Sequence, residues 1–187
     1  GLIVGGGPAG STCAWKLRRS GLRGVVMDAK RFPRDKVCAG WITPQILETL
    51  EIDPGDYAKE SVLQPFRGFE LGRLGGRSTR VTYSEVVSYG IRRCEFDTRL
   101  LLRCGAELRL GESLRSLVRE GGAWLANGEI RAKLVVGAGG HFCPVARLLA
   151  PGGFMTTAVT SSERLQTDAL PVGASVYRSL QSVFDRV

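Results

Sequence analysis

Gly1 to Asp28 reads GLIVGGGPAGSTCAWKLRRSGLRGVVMD. The opening GLIVG is short, apolar and broken by glycines, as a parallel strand buried on both faces is. The stretch after it predicts a helix: Ala9, Cys13 and Leu17 recur at four-residue spacing, Ser11, Lys16, Arg18 and Arg19 populate the other side, and Gly21 supplies the stop. Residues 24 to 28, GVVMD, make a second β-branched strand. Such a short crossover implies parallel strands joined by a right-handed connection.

Between the first strand and the helix lies Gly5-Gly6-Gly7-Pro8-Ala9-Gly10, which fits GxGxxG with Gly5, Gly7 and Gly10 in the fixed places. The first glycine permits the tight turn out of the strand, the second removes a side chain where a pyrophosphate must approach the backbone, and the third allows close packing of helix on strand. A helix N-terminus behind them offers free N–H groups and the positive end of a dipole. Asp28 closes the next strand 18 residues after Gly10, near the spacing of a carboxylate that accepts hydrogen bonds from a ribose diol. An acid there repels a 2′-phosphate, which favours FAD or NAD over NADP. A strand-end acid facing solvent is the plainer alternative for Asp28, and a turn without a ligand is the plainer alternative for the glycines.

Further along, residues 29 to 42 (AKRFPRDKVCAGWI) read as a loop longer than a passive connection needs. Thr43 then reads as the cap of a helix with Pro44 at its first position and Ile46, Leu47 and Leu50 as its apolar face. From about 62 to 93 the glycine-rich, β-leaning pattern predicts inserted antiparallel strands. A helix returns over 96 to 104, with Phe96, Leu100 and Cys104 on one face and Gly105 as its end, and AELRL follows as a strand. Residues 114 to 120, 123 to 126 and 129 to 136 read as a three-stranded meander turned at Gly121-Gly122 and Asn127-Gly128, its last strand running into LVVGAGG. Beyond Pro151 the periodicity fades, leaving only a helix expected near the end.

Composition narrows the classes. No apolar run approaches the ~20 residues of a membrane span, and nothing at the start resembles a secretory signal. Gly1 opens straight onto a strand without an initiator Met, so the sequence is expected to begin a few residues late. Five cysteines, Cys13, Cys38, Cys94, Cys104 and Cys143, contain no CxxC pair and are odd in number. That argues against a disulfide framework and a zinc site, and points to a reducing, cytoplasmic setting. The net charge of +8 comes mainly from arginines scattered along the chain, which reads as solvated surface charge rather than a nucleic-acid footprint. His141 is the sole histidine, so a metal or triad role is not expected.

Four ordered segments, VGGGPAGSTCAWKLRRSGLRGVVMDA, RFPRDKVCAGWITP, YGIRRCEFDTRLL and LVVGAGGHFCPVARLL, together resemble the FAD-binding half of the geranylgeranyl-reductase-like flavoproteins. These fall within the wider flavin monooxygenase superfamily typified by para-hydroxybenzoate hydroxylase. The resemblance covers about residues 1 to 150. It implies an α/β fold: a Rossmann-like FAD-binding domain with a parallel sheet, a three-stranded β-meander, and inserted antiparallel strands (about 62 to 92) of a partial substrate domain.

By the same resemblance, Gly5, Gly7 and Gly10 hold the FAD pyrophosphate and Asp28 the adenosine ribose, with Pro8, Ala9 and Ala29 also among the cofactor-binding residues. Arg93, in RxxFD with Phe96 and Asp97, resembles the arginine that reaches the flavin's phosphate or ribityl region, a duty that suits a guanidinium fork; a surface arginine is the alternative. Lys36, Cys38, Gly40 and Trp41 match the segment near the isoalloxazine ring, with Cys38 toward the substrate; a buried structural cysteine is the alternative. In the run LVVGAGGHFCPVAR, Gly139 stands where the hydroxylases carry aspartate, with Gly140 and Arg147 in register. That departure moves weight toward the reductase branch.

Complete relatives carry a later Gly-Asp motif and the rest of a substrate domain, whereas Gly55-Asp56 comes far too early. Residues 151 to 187 are therefore expected to be an atypical tail, truncated or altered in reading frame. The resemblance implies an FAD-dependent oxidoreductase that passes hydride from reduced FAD to an isoprenoid or other lipid-like alkene, with an external reductant it does not identify and with scope for peripheral membrane contact. A flavin-dependent monooxygenase or halogenase, and an inactive nucleotide-binding fragment, are the alternatives.

Overall fold

The structure is a computed structural model that describes residues 1–149 and, as backbone, the short strand Val159–Thr160. The chain divides into two compact units, one made of Gly1–Ala29 with the chain from Ala106 onward and the other of Lys30–Gly105.

The first unit opens with β1 (Leu2–Val4), α1 (Pro8–Arg19) and β2 (Val25–Asp28), as the sequence pattern predicts. Strands β1 and β2 pair in parallel, Leu2 opposite Val25 and Val4 opposite Met27. Leu2, Ile3, Val26 and Met27 are almost wholly enclosed, each such side chain contributing about 1.5 to 3 kcal/mol by burial. Pro8 takes the first helical position, where its missing N–H is no loss, and Lys16, Arg18 and Arg19 sit in the last turn, where the dipole favours cations.

The buried face of α1 differs from the one expected. Gly10, Ser11 and Ala14 are buried, while Cys13 and Leu17 are only partly covered and Ala9 is exposed. Close approach of helix to strand selects small side chains over apolar ones. Ser11 tolerates enclosure because its hydroxyl donates to the Gly7 carbonyl at 2.9 Å.

The second unit contains β3 (Trp41–Ile42), α2 (Pro44–Thr49), α3 (Pro54–Ala58), β4 (Leu63–Phe66), β5 (Gly68–Gly72), β6 (Ser78–Thr82), β7 (Ser88–Ile91) and α4 (Arg93–Arg103). Strands β3, β7 and β4 form an antiparallel sheet and β5 with β6 a hairpin. Leu47, Leu50, Ile52, Tyr57, Ile91, Phe96 and Leu100 make its core.

Four details depart from the pattern. Thr43 precedes α2 without a side-chain cap bond, and Ile46 is exposed rather than part of the apolar face. The loop over 29 to 42 ends in the two-residue strand β3, too short to leave a period. Helix α3, capped by Asp53 accepting from the Asp56 amide at 2.8 Å, has no expected counterpart. Helix α4 begins at Arg93, three residues before its apolar face does.

The chain then returns to the first unit with β8 (Glu107–Leu110), β9 (Leu117–Glu120), β10 (Ala123–Ala126), β11 (Ile130–Ala132), β12 (Val135–Gly137), a 3-10 turn at Gly140–Phe142, α5 (Pro144–Leu149) and β13 (Val159–Thr160). Strands β9, β10 and β11 form the antiparallel meander. Both central residues of its turns, Gly121-Gly122 and Asn127-Gly128, have positive φ, the signature of tight hairpins that match strand twist.

Residues 129 to 136 are not one strand. Strand β11 leaves Arg131 exposed, whereas β12 is buried throughout. A half-exposed strand and a doubly covered one belong to different sheets, and the chain breaks between them at Lys133 and Leu134. The resulting five-stranded sheet has the order β13-β12-β1-β2-β8, parallel except for β13. The helix expected near the chain's end lies outside the described residues.

Candidate functional site

The glycine turn follows β1 at the carboxyl end of the parallel strands. Gly5 adopts φ +114°, and a Cβ there would lie 2.3 Å from the Ala138 carbonyl oxygen. A Cβ on Gly10 would lie 1.8 Å from the Gly5 carbonyl oxygen. Both glycines are demanded by the protein's own backbone. Gly7 differs, because its φ of −70° and ψ of −177° suit any residue. Nothing in the backbone conformation at Gly7 calls for a missing side chain.

The first internal bond of α1 runs from the Ser11 amide to the Gly7 carbonyl at 2.9 Å. The amides of Gly7, Ala9 and Gly10 precede it, and Pro8 has none, so the helix start presents donors beyond those it uses internally. No acid of the helix itself occupies its first turn, so the helix's own side chains leave the positive end of the dipole uncompensated. Asp28 faces this turn: its Oδ2 accepts from the Gly6 amide at 2.7 Å. That bond ties the end of β2 to the turn. Ala29 follows, exposed.

The segment that carries Gly139 and Gly140 lies beside the glycine turn. Val4 pairs with Gly137, and the Ala138 amide donates to the Val4 carbonyl at 2.7 Å. Gly139 is exposed with φ −75°, Gly140 has φ +73°, and a Cβ at Gly139 would crowd Cys143 and Pro144 at 3.1 and 3.2 Å. Gly5, Gly7, Gly10, Asp28, Gly139 and Gly140 thus belong to one end of one sheet. His141 stacks edge-on against Phe142 at 5.1 Å. Among the described residues no cluster of three metal-ligating side chains occurs, and no helix is long and apolar enough to cross a membrane.

In the second unit, Gly40 anchors the 29 to 42 loop. It adopts φ +66°, its carbonyl accepts from the Ile91 amide at 2.7 Å, and a Cβ there would meet the Ile91 carbonyl at 2.4 Å. Trp41 pairs with Gly90 and lies 5.1 Å from Phe69, ring to ring. This clamp fixes the chain two residues after Cys38. The Cys38 thiol is exposed rather than buried. The Gly40 amide, and after it the Arg93 guanidinium, favour its thiolate and hold it below the usual thiol range, against burial. Lys36 is exposed nearby in sequence.

Arg93 presents its fork inward. Nε donates to Asp97 Oδ1 at 2.8 Å and Nη2 to Oδ2 at 2.9 Å, and this bonding raises the already high Arg93 pKa. Arg34 Nη2 approaches the same Oδ2 at 3.5 Å. Arg34 and the function of Asp97 escape a reading of the sequence by motif. The i, i+4 spacing of Arg93 and Asp97 on a helix is the one local signal of their pairing.

Residues 3–34 match the family model of the NAD(P)-binding Rossmann-like domain. Among curated proteins, the geranylgeranyl diphosphate reductase of Rhodobacter capsulatus is 46% identical over 51 residues, covering 27% of this chain and 12% of that protein. The digeranylgeranylglycerophospholipid reductase 1 of Methanopyrus kandleri is 31% identical over 153 residues, 74% of this chain and 39% of that protein. Over these residues the chain is similar to both reductases. It spans well under half the length of these relatives. The chain also shares its fold with halogenase PltM, solved with phloroglucinol and FAD, at a TM-score of 0.65 and 21% identity over 79% of this chain and 35% of that one.

Proposed function

We propose that this chain is the dinucleotide-binding part of an FAD-dependent oxidoreductase, most like those that reduce isoprenoid double bonds. The observation that carries the reading is the glycine turn. Two of its glycines are needed by the fold, and the third, Gly7, lies beside unshared helix amides with Asp28 directed at the same turn.

The residues fit a diphosphate-linked nucleotide. The Gly7, Ala9 and Gly10 amides and the α1 dipole supply donors and positive potential for phosphate oxygens. Asp28 supplies the anion for the adenosine ribose while bracing the Gly6 amide. Gly139 and Gly140 keep the neighbouring turn free of side chains. By resemblance, Arg93 is assigned to the phosphate or ribityl region, and Lys36, Cys38 and Gly40 to the ring, with Cys38 on the substrate side. FAD, when bound, supplies the hydride chemistry that no side chain supplies.

The substrate class follows from the named relatives: an isoprenoid, carried on a diphosphate or a glycerophospholipid. We read residues 1 to 150 as the FAD-binding domain with its inserted β segment, in a reducing, cytoplasmic setting that suits five cysteines without a CxxC pair. The fold shared with a halogenase supports a second reading, a flavin-dependent monooxygenase or halogenase. Oxygen consumption during turnover marks that class, and anaerobic reduction of an alkene marks the first.

Purification of the chain with quantification of bound flavin by absorbance and mass spectrometry tests the cofactor. One equivalent of FAD is the expected result. Folded, colourless protein that takes up no added FAD would reduce the chain to a nucleotide-fold fragment without a competent site.

A further inference from the structure

The carboxyl end of α1 and the turn after it gather Lys16, Arg18, Arg19 and Arg23, and no Asp or Glu occurs anywhere in residues 1 to 27. Arg18, Arg19 and Arg23 are exposed and Lys16 is half-buried. Glu107 comes to this edge through its amide, which donates to the Gly24 carbonyl at 3.1 Å, but Arg109 already engages its carboxylate at 2.8 Å.

Part of this charge has a local explanation. Cations in the last turn of a helix offset the negative end of its dipole, and Lys16, Arg18 and Arg19 sit there. That account does not extend to Arg23, which lies beyond the helix, nor to the apolar groups interleaved with the charges. Trp15 is only half-buried, and Leu22, seven residues on, is 48% exposed. Trp15, Arg18 and Arg19 stand at i, i+3 and i+4 and so share one side of the closing turns. Lys16 Nζ lies 4.3 Å over the indole, and the Arg19 guanidinium 5.1 Å from it.

The mixture selects a partner. Clustered Lys and Arg on a helix attract anionic lipid headgroups, and tryptophan takes the boundary between headgroup and hydrocarbon because its ring is amphipathic. A single-stranded nucleic acid also calls for cations, but it stacks its bases on open ring faces, and this indole is overlain by Lys16 and Arg19. An exposed leucine gains from hydrocarbon and nothing from a phosphate backbone.

We propose that the carboxyl end of α1, with the turn to Arg23, docks this chain on a bilayer rich in anionic phospholipid, Trp15 and Leu22 entering the headgroup layer and the four cations lying among the phosphates. This does not rest on the flavin reading. The glycine turn lies at the other end of the same 12-residue helix, about 18 Å away at 1.5 Å per residue, so the two surfaces can be altered separately.

The test is co-sedimentation of the full chain with vesicles of equimolar phosphatidylcholine and phosphatidylglycerol, and with vesicles of phosphatidylcholine alone. Binding to the mixed vesicles only, lost in about 1 M salt, is the expected result. Each cation near such a surface multiplies affinity by about five-fold, so Arg19→Gln with Arg23→Gln should bind about 25-fold more weakly, while Arg19→Lys with Arg23→Lys should bind as the wild type does. Equal binding to the two vesicle types, no loss in the glutamine pair, or tighter binding to a single-stranded oligonucleotide than to the mixed vesicles overturns the proposal. Tryptophan emission gives an independent reading: mixed vesicles should shift it to shorter wavelength in the wild type and not in Trp15→Phe, and a shift that survives in Trp15→Phe overturns the assignment of the contact to this helix end. Flavin content, measured in parallel, should be unchanged in the glutamine pair and reports separately on the cofactor reading.

Discussion

The glycine turn of the first unit and the arginine–aspartate cluster of the second each hold a carboxylate, by opposite means. The turn is made of absent side chains, and its donors are backbone amides whose positions follow from strand and helix geometry. The cluster is made of long charged side chains around an enclosed carboxylate. A backbone device tolerates no added atom where the chain crosses itself. A side-chain device tolerates changes of shape poorly and loss of charge worse. Substitutions in the two regions should therefore fail in different ways.

The largest effect is expected at Gly10. A valine there would place Cβ 1.8 Å from the Gly5 carbonyl oxygen, and only movement of α1 away from β1 relieves the clash. Loss of more than about 4 kcal/mol, in practice failure to fold, is expected, and a cooperative urea transition near that of the wild type would contradict the packing described. Next comes Asp97→Ala, which leaves Arg93 and Arg34 without their shared anion. Breaking a buried pair from one side costs about 3 to 5 kcal/mol, again measurable by urea denaturation. A cost below about 1 kcal/mol would mean that the pair behaves as a surface contact.

The same contrast explains what the sequence reveals. Spacing of glycines, the apolar run before them and the acid after the second strand are local, so the strand-helix-strand unit and its turn can be read in order. The face of α1 misleads because hydrophobicity points to Cys13 and Leu17, while close packing needs the small residues Gly10, Ser11 and Ala14. The split between β11 and β12 is hidden because no glycine, proline or asparagine separates the two strands, and only the partner sheet distinguishes them. The anchoring of the loop that carries Cys38 is illegible for a stronger reason: the Gly40–Ile91 clamp is a contact between distant segments. The meander shows an intermediate case. Asn127-Gly128 reads as a turn, but the Asn127 side chain also accepts from the Arg115 and Ser116 amides and donates to the Ser113 carbonyl.

A smaller effect is expected at Asp28, where backbone and side-chain devices meet. Asp28→Ala removes the acceptor of the Gly6 amide and should lower stability by about 1 to 2 kcal/mol. Asp28→Asn keeps an acceptor oxygen and should cost less. Both should weaken flavin binding if the charge serves the ribose, so isothermal titration with FAD separates the two duties. Equal affinity in wild type and Asp28→Asn would confine Asp28 to bracing the turn.

The smallest expected effect on the fold is at Gly7, and it bears most directly on the site. Its φ and ψ are open to any residue, so Gly7→Val should change stability by less than about 1 kcal/mol. The same substitution places a branched side chain at the proposed diphosphate site beside the helix amides, and flavin content should fall to background. Because the fold is expected to survive, loss of flavin would report on space rather than on unfolding. Full occupancy in Gly7→Val would place the phosphates elsewhere, while a chain that melts like the Gly10 variant would show that Gly7, too, is a requirement of packing.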